Sequence, residues 1–324
     1  MDLIKPLAIR KHTALSKRFP QAANLPQHAK AHADWIVFGP HLSPLHFDDM
    51  AFYLGESPEI VSTWKVGRYE VAAVRGEFSE EVVTICDALG LDCAPLADLP
   101  QLTRPGLAVF DMDSTAIQIE CIDEIAVLAG VGEQVAEVTE RAMQGELDFE
   151  QSLRQRVGTL KDADESILSE VRASLPLMPE MAELVSALHR LGWKVAVASG
   201  GFTYFSDHLK ALLDLDYAES NQLEIVSGKL TGQVLGGVVD AQRKADVLNE
   251  LAEKWEIEPY NTIAVGDGAN DLKMMTAAGL GIAYHAKPKV QQQAQAAIRH
   301  ADLGGVLCIL SASLLPQGLS WKNQ

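Results

Sequence analysis

Leu107-Ala108-Val109-Phe110-Asp111-Met112-Asp113-Ser114-Thr115 places two carboxylates, two residues apart, directly after a four-residue apolar run. A short apolar run bounded by turn formers suits a central strand of a parallel sheet. Ligands of such sheets bind beyond the carboxyl ends of the strands. The stretch therefore reads as a site for a cation such as Mg2+, with one carboxylate free to react. An Asx-rich turn that merely caps the next helix would use the same residue types. The rest of the chain has to decide between the two.

Beyond this stretch, helical and extended patterns alternate. Residues 122–129, 132–143, 149–160 and 164–174 carry helical spacing with no strand between them, and 181–191 form another helix stopped by Gly192. Trp193-Lys194-Val195-Ala196-Val197-Ala198 reads as a strand ending at Ser199-Gly200-Gly201, with a helix over 202–213 behind it. Residues 223–226 and 229–234 read as a hairpin about Ser227-Gly228. A helix over 241–255 leads to a strand over 262–265, which ends at Gly266-Asp267-Gly268-Ala269-Asn270-Asp271. Helices over 272–278 and 288–298 flank a last strand at 281–284. This succession predicts the α/β class, with a doubly wound and mainly parallel sheet over 107–313. A helical cap, inserted after the first strand at about 120–179, is the natural lid. Residues 314–324 read as a C-terminal tail.

The first third is patterned differently. Residues 1–33 are polar and mildly basic and read as a loosely attached arm. Strands at 35–38 and within 63–74, a helix over 79–89 with Ser79 as N-cap, and a short strand near Cys93 predict a small α+β domain at 34–98. Its βαβ-like succession resembles the amino-acid-binding ACT domains, and proline-containing residues 99–106 read as a linker.

Composition narrows the function. The 324 residues are 48% hydrophobic, an ordinary globular balance. Four scattered cysteines without a C-x-x-C pair argue against a disulfide framework or thiolate metal site and for a reducing compartment. His28 and His32 have metal-like spacing but lack the Glu of H-E-x-x-H. The first 30 residues hold no signal-peptide core, and no run reaches the roughly 18 apolar residues of a membrane span, so a cytoplasmic enzyme is expected. The net charge of −17, carried mostly beyond residue 104, repels nucleic acid and anionic membranes. An anionic substrate therefore needs specific local cations.

Three polar strand-end turns can converge on one edge of a parallel sheet, and each suits phosphoryl transfer. Asp111 and Asp267 can offer carboxylates to Mg2+. The Ser199 hydroxyl and the N–H groups about Gly200 can hold phosphate oxygens. Lys244, early in its helix, offsets the charge of a phosphate facing several aspartates, which leaves one carboxylate able to attack phosphorus. Asp113 can serve as general acid and then base, with Asp271 orienting its neighbours as an outer ligand. A dinucleotide site is disfavoured because Asp271 stands where the third glycine of that fingerprint would be, and no P-loop motif is present.

Asp111-x-Asp113-x-Thr115, Ser199, Lys244 and Gly266-Asp267-Gly268-x-Asn270-Asp271, in this order, resemble the four motifs of the haloacid dehalogenase superfamily. "DMDSTAIQIECIDEIA", "AMQGELDFEQSLRQRV", "VASGGF" and "AVGDGANDLKM" resemble, more narrowly, segments of the phosphoserine phosphatase family. The likeness covers about 107–310. It implies Asp111 as nucleophile and Asp113 as acid/base, with Mg2+ bound by Asp111, Asp267 and the Asp113 backbone carbonyl. It also implies that Glu120 and Arg156 read the ammonium and carboxylate of an amino acid. Met143 and Phe149 would form an apolar lid wall, while Ser199, Gly200, Lys244 and Asn270 surround the phosphate. The implied reaction is phosphoserine hydrolysis, the last step of serine synthesis. Judged without the likeness, Glu120 and Arg156 would be solvated lid residues, and Met143 and Phe149 core residues. Alternatives are another small phosphorylated amino acid as substrate, or a serine-sensing protein with secondary phosphatase activity. The sequence leaves open whether the chain acts alone or as a homodimer.

Overall fold

The computed structural model describes residues 4–30 and 32–317. Strand β1 (Ile9–Arg10) and helices α1 (Thr13–Arg18), α2 (Pro20–Asn24) and α3 (Gln27–Lys30) precede β2 (Trp35–Gly39), α4 (Pro44–Leu54), β3 (Glu59–Val66), β4 (Tyr69–Arg75), α5 (Glu80–Ala88) and β5 (Asp92–Pro95). These strands form one antiparallel sheet in the order β1-β3-β4-β2-β5. From β2 to β5 the chain runs βαββαβ, the split βαβ arrangement of ferredoxin-like folds.

Next come β6 (Leu107–Phe110), the cap helices α6 (Cys121–Leu128), α7 (Gly132–Met143), α8 (Phe149–Thr159) and α9 (Ser166–Ala173), then α10 (Met181–Arg190), β7 (Lys194–Phe202) and α11 (Thr203–Leu213). The hairpin β8 (Tyr217–Val226) and β9 (Lys229–Leu235) is followed by α12 (Ala241–Lys254), β10 (Thr262–Gly266), α13 (Leu272–Ala277), β11 (Leu280–Tyr284), α14 (Pro288–Gln291), β12 (Ala296–Ile298) and α15 (Gly304–Ser311). The second sheet runs β12-β11-β10-β6-β7-β8-β9, parallel except for the β8–β9 pair.

Central β6 is buried along its whole length because helices cover both faces of the sheet. Alternate residues divide between two cores: Ala108, Phe110, Val195 and Val197 enter one, Leu107, Val109, Ala196 and Ala198 the other. The cap joins the sheet through paired connectors, in which Gln118 N–H donates to Pro176 O at 3.0 Å and Met178 N–H to Ala116 O at 2.9 Å. It also leans on the β8–β9 hairpin, whose turn at Ser227-Gly228 has positive φ at both residues, as a primed turn requires.

Several expectations are corrected. The arm is not loose where it is described: Leu15 of α1, Ala22 of α2 and Phe19 between them are buried in the core of the small domain, and both helices are too short to display a period. Helix α4 was not foreseen. The expected helix over 288–298 breaks after α14, and β12 extends the sheet beside β11. The expected tail begins inside a 3-10 turn in which Leu314 and Leu315 are buried; residues 318–324 lie outside the described residues. In the linker, Leu102 is fully buried and Asn261 accepts from Gln101 N–H at 2.6 Å. One core cluster contains Ile36 and Trp64 of the small domain together with Phe110 and Leu307 of the larger one.

Candidate active site

Strands β7, β6 and β10 are neighbours, with Val109 opposite Ala196 on one side and Ala264 on the other. Their carboxyl ends bring Ser199, Asp111 and Asp267 to the rim of one cavity of about 170 Å3. Asp113, Gly200 and Asn270 line the same cavity, and the cap closes it with Glu120, Phe149 and Arg156.

Asp240 caps α12 by accepting from Arg243 N–H at 2.8 Å, which turns the next residue, Lys244, inward to complete burial. Lys244 Nζ lies 2.8 Å from Asp111 Oδ1 and 2.7 Å from Asp271 Oδ1. Burial alone would lower the lysine pKa; Asp111 and Asp271 outweigh it and hold the ammonium charged. Asp271 Oδ2 accepts from Gly268 N–H at 3.0 Å, so both oxygens of this carboxylate are engaged. A Cβ on Gly266 would stand 2.4 Å from Asp271 Cγ, which explains the glycine.

Oxygens of Asp111, Asp267 and Asp271 lie within 4.8 Å of one another. Burial, then Asp111 and Asp271, push Asp267 up to about 7. Hard oxygen donors crowded with uncompensated charge fit a divalent cation of the Mg2+ or Ca2+ type, and Asp111 and Asp267 are the two with oxygens to spare.

Asp113 faces the cavity from a tight turn in which Met112 O accepts from the N–H groups of Thr115, Ala116 and Ile117 at 3.2, 2.8 and 3.0 Å. Burial, then Glu120 and Asp111, raise its pKa well above the usual carboxylate range, so the carboxyl can carry a transferable proton. Across the cavity, Gly201 N–H donates to Ser199 Oγ at 2.9 Å. Buried Asn221, which sequence reasoning missed, donates to Gly200 O at 2.7 Å and accepts from Val239 N–H at 2.8 Å, fixing this turn. A Cβ on Gly200 would come within 2.6 Å of Phe149 Cζ. Phe149 itself opens α8 beneath a capping box formed by Asp148 and Gln151.

Arg156 sits seven residues further along α8 and so on the same face as Phe149. Its Nε is buried without a hydrogen-bond partner among the described residues. Burial lowers its pKa, against the pull of Asp123, Glu120 and Asp113. Glu120 is solvent-exposed at the cavity mouth, and its pKa is raised by partial desolvation first and by Asp111 and Asp123 next. Met143, at the end of α7, is 71% exposed and does not line the cavity. Leu153, Ile122 and Phe202 form the apolar wall with Phe149 instead. Leu153 was findable, since it follows Phe149 by one helical turn.

A parallel sheet with paired aspartates after its central strand, a buried lysine and a helical cap defines a class, and the comparisons agree. Residues 106–279 match the haloacid dehalogenase-like hydrolases, and the chain belongs to that family. It is 66% identical to the phosphoserine phosphatase of Vibrio cholerae serotype O1, over 100% of this chain and 99% of that one. The crystal structure of a probable phosphoserine phosphatase from Vibrio cholerae, unliganded, superposes with a TM-score of 0.92 at 66% identity, covering 99% of this chain and 100% of that one. A phospho-aspartyl intermediate analogue of a phosphoserine phosphatase matches with a TM-score of 0.60 at 42% identity, over 63% of this chain and 98% of that one. Residues 31–95 match a domain of unknown function, DUF5609.

Proposed function

We propose that this chain hydrolyses O-phospho-L-serine to L-serine and phosphate, with Mg2+ at Asp111 and Asp267 and a ligand from the Asp113 backbone carbonyl. One observation carries the substrate. The carboxylate of Glu120 and the guanidinium of Arg156, whose Nε is buried without a partner among the described residues, line the same small cavity as Asp111 and Ser199. A buried guanidinium without a partner needs an anion, and a neighbouring carboxylate suits an ammonium. A phosphorylated α-amino acid supplies both beside its phosphate. The cavity is smaller than the roughly 300–1,000 Å3 that takes drug-sized ligands, which restricts the class to small metabolites. Phosphoserine phosphatases among its relatives support the same reading.

Arg156 grips the substrate carboxylate and Glu120 its ammonium, while Phe149 covers the carbon chain. Ser199 and the N–H groups about Gly200, with Asn270, hold phosphate oxygens. Lys244 pairs with Asp111 and offsets the charge arriving with the substrate. A divalent cation held by Asp111 and Asp267 would supply Lewis-acid polarisation of the phosphoryl group and neutralise charge on its oxygens. Asp111 attacks phosphorus as the bond to the serine oxygen breaks, and Asp113 protonates that oxygen. Asp113, now ionised, takes a proton from the water that cleaves the aspartyl-phosphate, which restores both groups. Asp271 orients Lys244 and the Gly268 turn from behind. Every group in this scheme comes from one chain, so the chemistry needs no second copy. Four buried free thiols fit a cytoplasmic setting.

The test is phosphate release from a panel of phosphorylated amino acids and sugars, with and without Mg2+. Selective, Mg2+-dependent turnover of phosphoserine is expected; equal activity on sugar phosphates would overturn the reading.

A further inference from the structure

We infer that Ser114 is the positioning residue that gives this site its selectivity for an amino group, by holding the Glu120 carboxylate in place. The inference rests on the phosphoserine reading above and deepens it.

Ser114 has φ of 56°, a left-handed backbone that a non-glycine residue adopts at a cost of about 1 kcal/mol. In that conformation its N–H faces Ile119 O at 3.4 Å, closing the loop that leads to Glu120. Its hydroxyl donates to Glu120 Oε1 at 2.8 Å. Among the described residues no other group donates to this carboxylate, so Oε2 stays open to a ligand. A serine hydroxyl has one proton to donate. Spent on Glu120, it is not available to a phosphate oxygen, which separates the role of Ser114 from that of Ser199. Asp111 and Asp123 both repel Glu120. Arg156 attracts it without a hydrogen bond, so without the Ser114 hydroxyl no hydrogen bond among the described residues opposes a swing of that side chain toward solvent, away from the substrate nitrogen. Ser114, three residues after the nucleophile Asp111, thus also acts on the far end of the substrate.

Glycine adopts positive φ without strain, so Ser114→Gly removes the hydroxyl and spares the turn. The measurement compares phosphoserine with 3-(phosphonooxy)propanoate, which is phosphoserine without its amino group. For phosphoserine, loss of a hydrogen bond to a charged group should raise KM about tenfold, with kcat held within about twofold. For the deamino ester, kcat/KM should be unchanged. In a Glu120→Gln background the same substitution should have no further effect on KM, because the carboxylate charge that Ser114 positions against the ammonium is already gone. A wild-type preference for phosphoserine, combined with equal losses on both esters in Ser114→Gly or with none on phosphoserine, would overturn the role of Ser114 alone. Equal wild-type turnover of both esters would overturn the phosphoserine reading and this inference with it.

Discussion

Lys244 Nζ stands 2.8 Å from Asp111 Oδ1 inside fully buried surroundings, and the same nitrogen reaches Asp271. This contact ties the end of the central strand to the helix that precedes the third strand of the site. Removing one member of a buried ion pair leaves uncompensated charge, typically at about 3–5 kcal/mol. Lys244→Met should therefore lower stability by that order in urea unfolding at pH 8. The loss should shrink at pH 5, where Asp267 and Asp271, both with raised pKa, take up protons. A loss independent of pH would contradict this charge balance.

Asp267 gives the metal site its own pH dependence. Its pKa is pushed from 3.8 to about 7, so the ion-free folded protein holds this proton more tightly than the unfolded chain does. The associated stability is fully present below 3.8 and is lost as pH rises through about 7. A divalent ion takes the proton's place and has less to displace at high pH. Mg2+ should thus raise Tm more at pH 8 than at pH 6. Equal increments in a thermal-shift assay would contradict the assignment of Asp267.

Arg156 should show function at the expense of stability. Its Nε is buried with no hydrogen-bond partner among the described residues. Arg156→Met relieves that burden while keeping an apolar side chain of similar reach. The substitution should raise Tm, and should raise KM for phosphoserine about a hundredfold, as expected for a lost bidentate charged contact. A fall in Tm would mean that Arg156 serves the fold.

The small domain is clasped to the larger one near the base of the cap. Tyr69 Oη donates to Glu180 Oε2 at 2.9 Å and accepts from Asp302 N–H at 2.9 Å, while Arg68 Nε lies 3.0 Å from Glu180 Oε1. Tyr69→Phe orphans the Asp302 N–H and should cost about 1–3 kcal/mol. Because one apolar core spans both parts, denaturant unfolding should remain a single transition with a lower midpoint. Two separated transitions would show that the parts unfold independently.

The three strand-end turns were legible because each is local: an apolar run, then residues whose chemistry is visible in the string. Their adjacency followed from the rules of parallel sheets. The α1–α3 segment was not legible, since Leu15 and Ala22 are buried from helices of 6 and 5 residues and Phe19 from the junction between them, and neither helix is long enough to show a period. Strand β12 is three residues long, and its alanines suit a helix equally well. Asn221, Tyr69 and Glu180 act through partners far away in sequence, and no local pattern marks them. Met143 stands apart from the cavity lining in this structure, 71% exposed at the end of α7. The family likeness implies a lid-wall role for it, and Leu153, one turn along α8 from Phe149, lines the cavity here.

The central claim is that Asp111 carries the phosphoryl group between phosphoserine and water. Rapid acid quench of the enzyme turning over phosphoserine with Mg2+, followed by borohydride reduction and peptide mass spectrometry, reads it directly. An acyl phosphate at Asp111 is reduced to homoserine, so that residue should appear at position 111 and be absent from Asp111→Asn. Modification at another residue, or turnover with no covalent intermediate at Asp111, would contradict the mechanism.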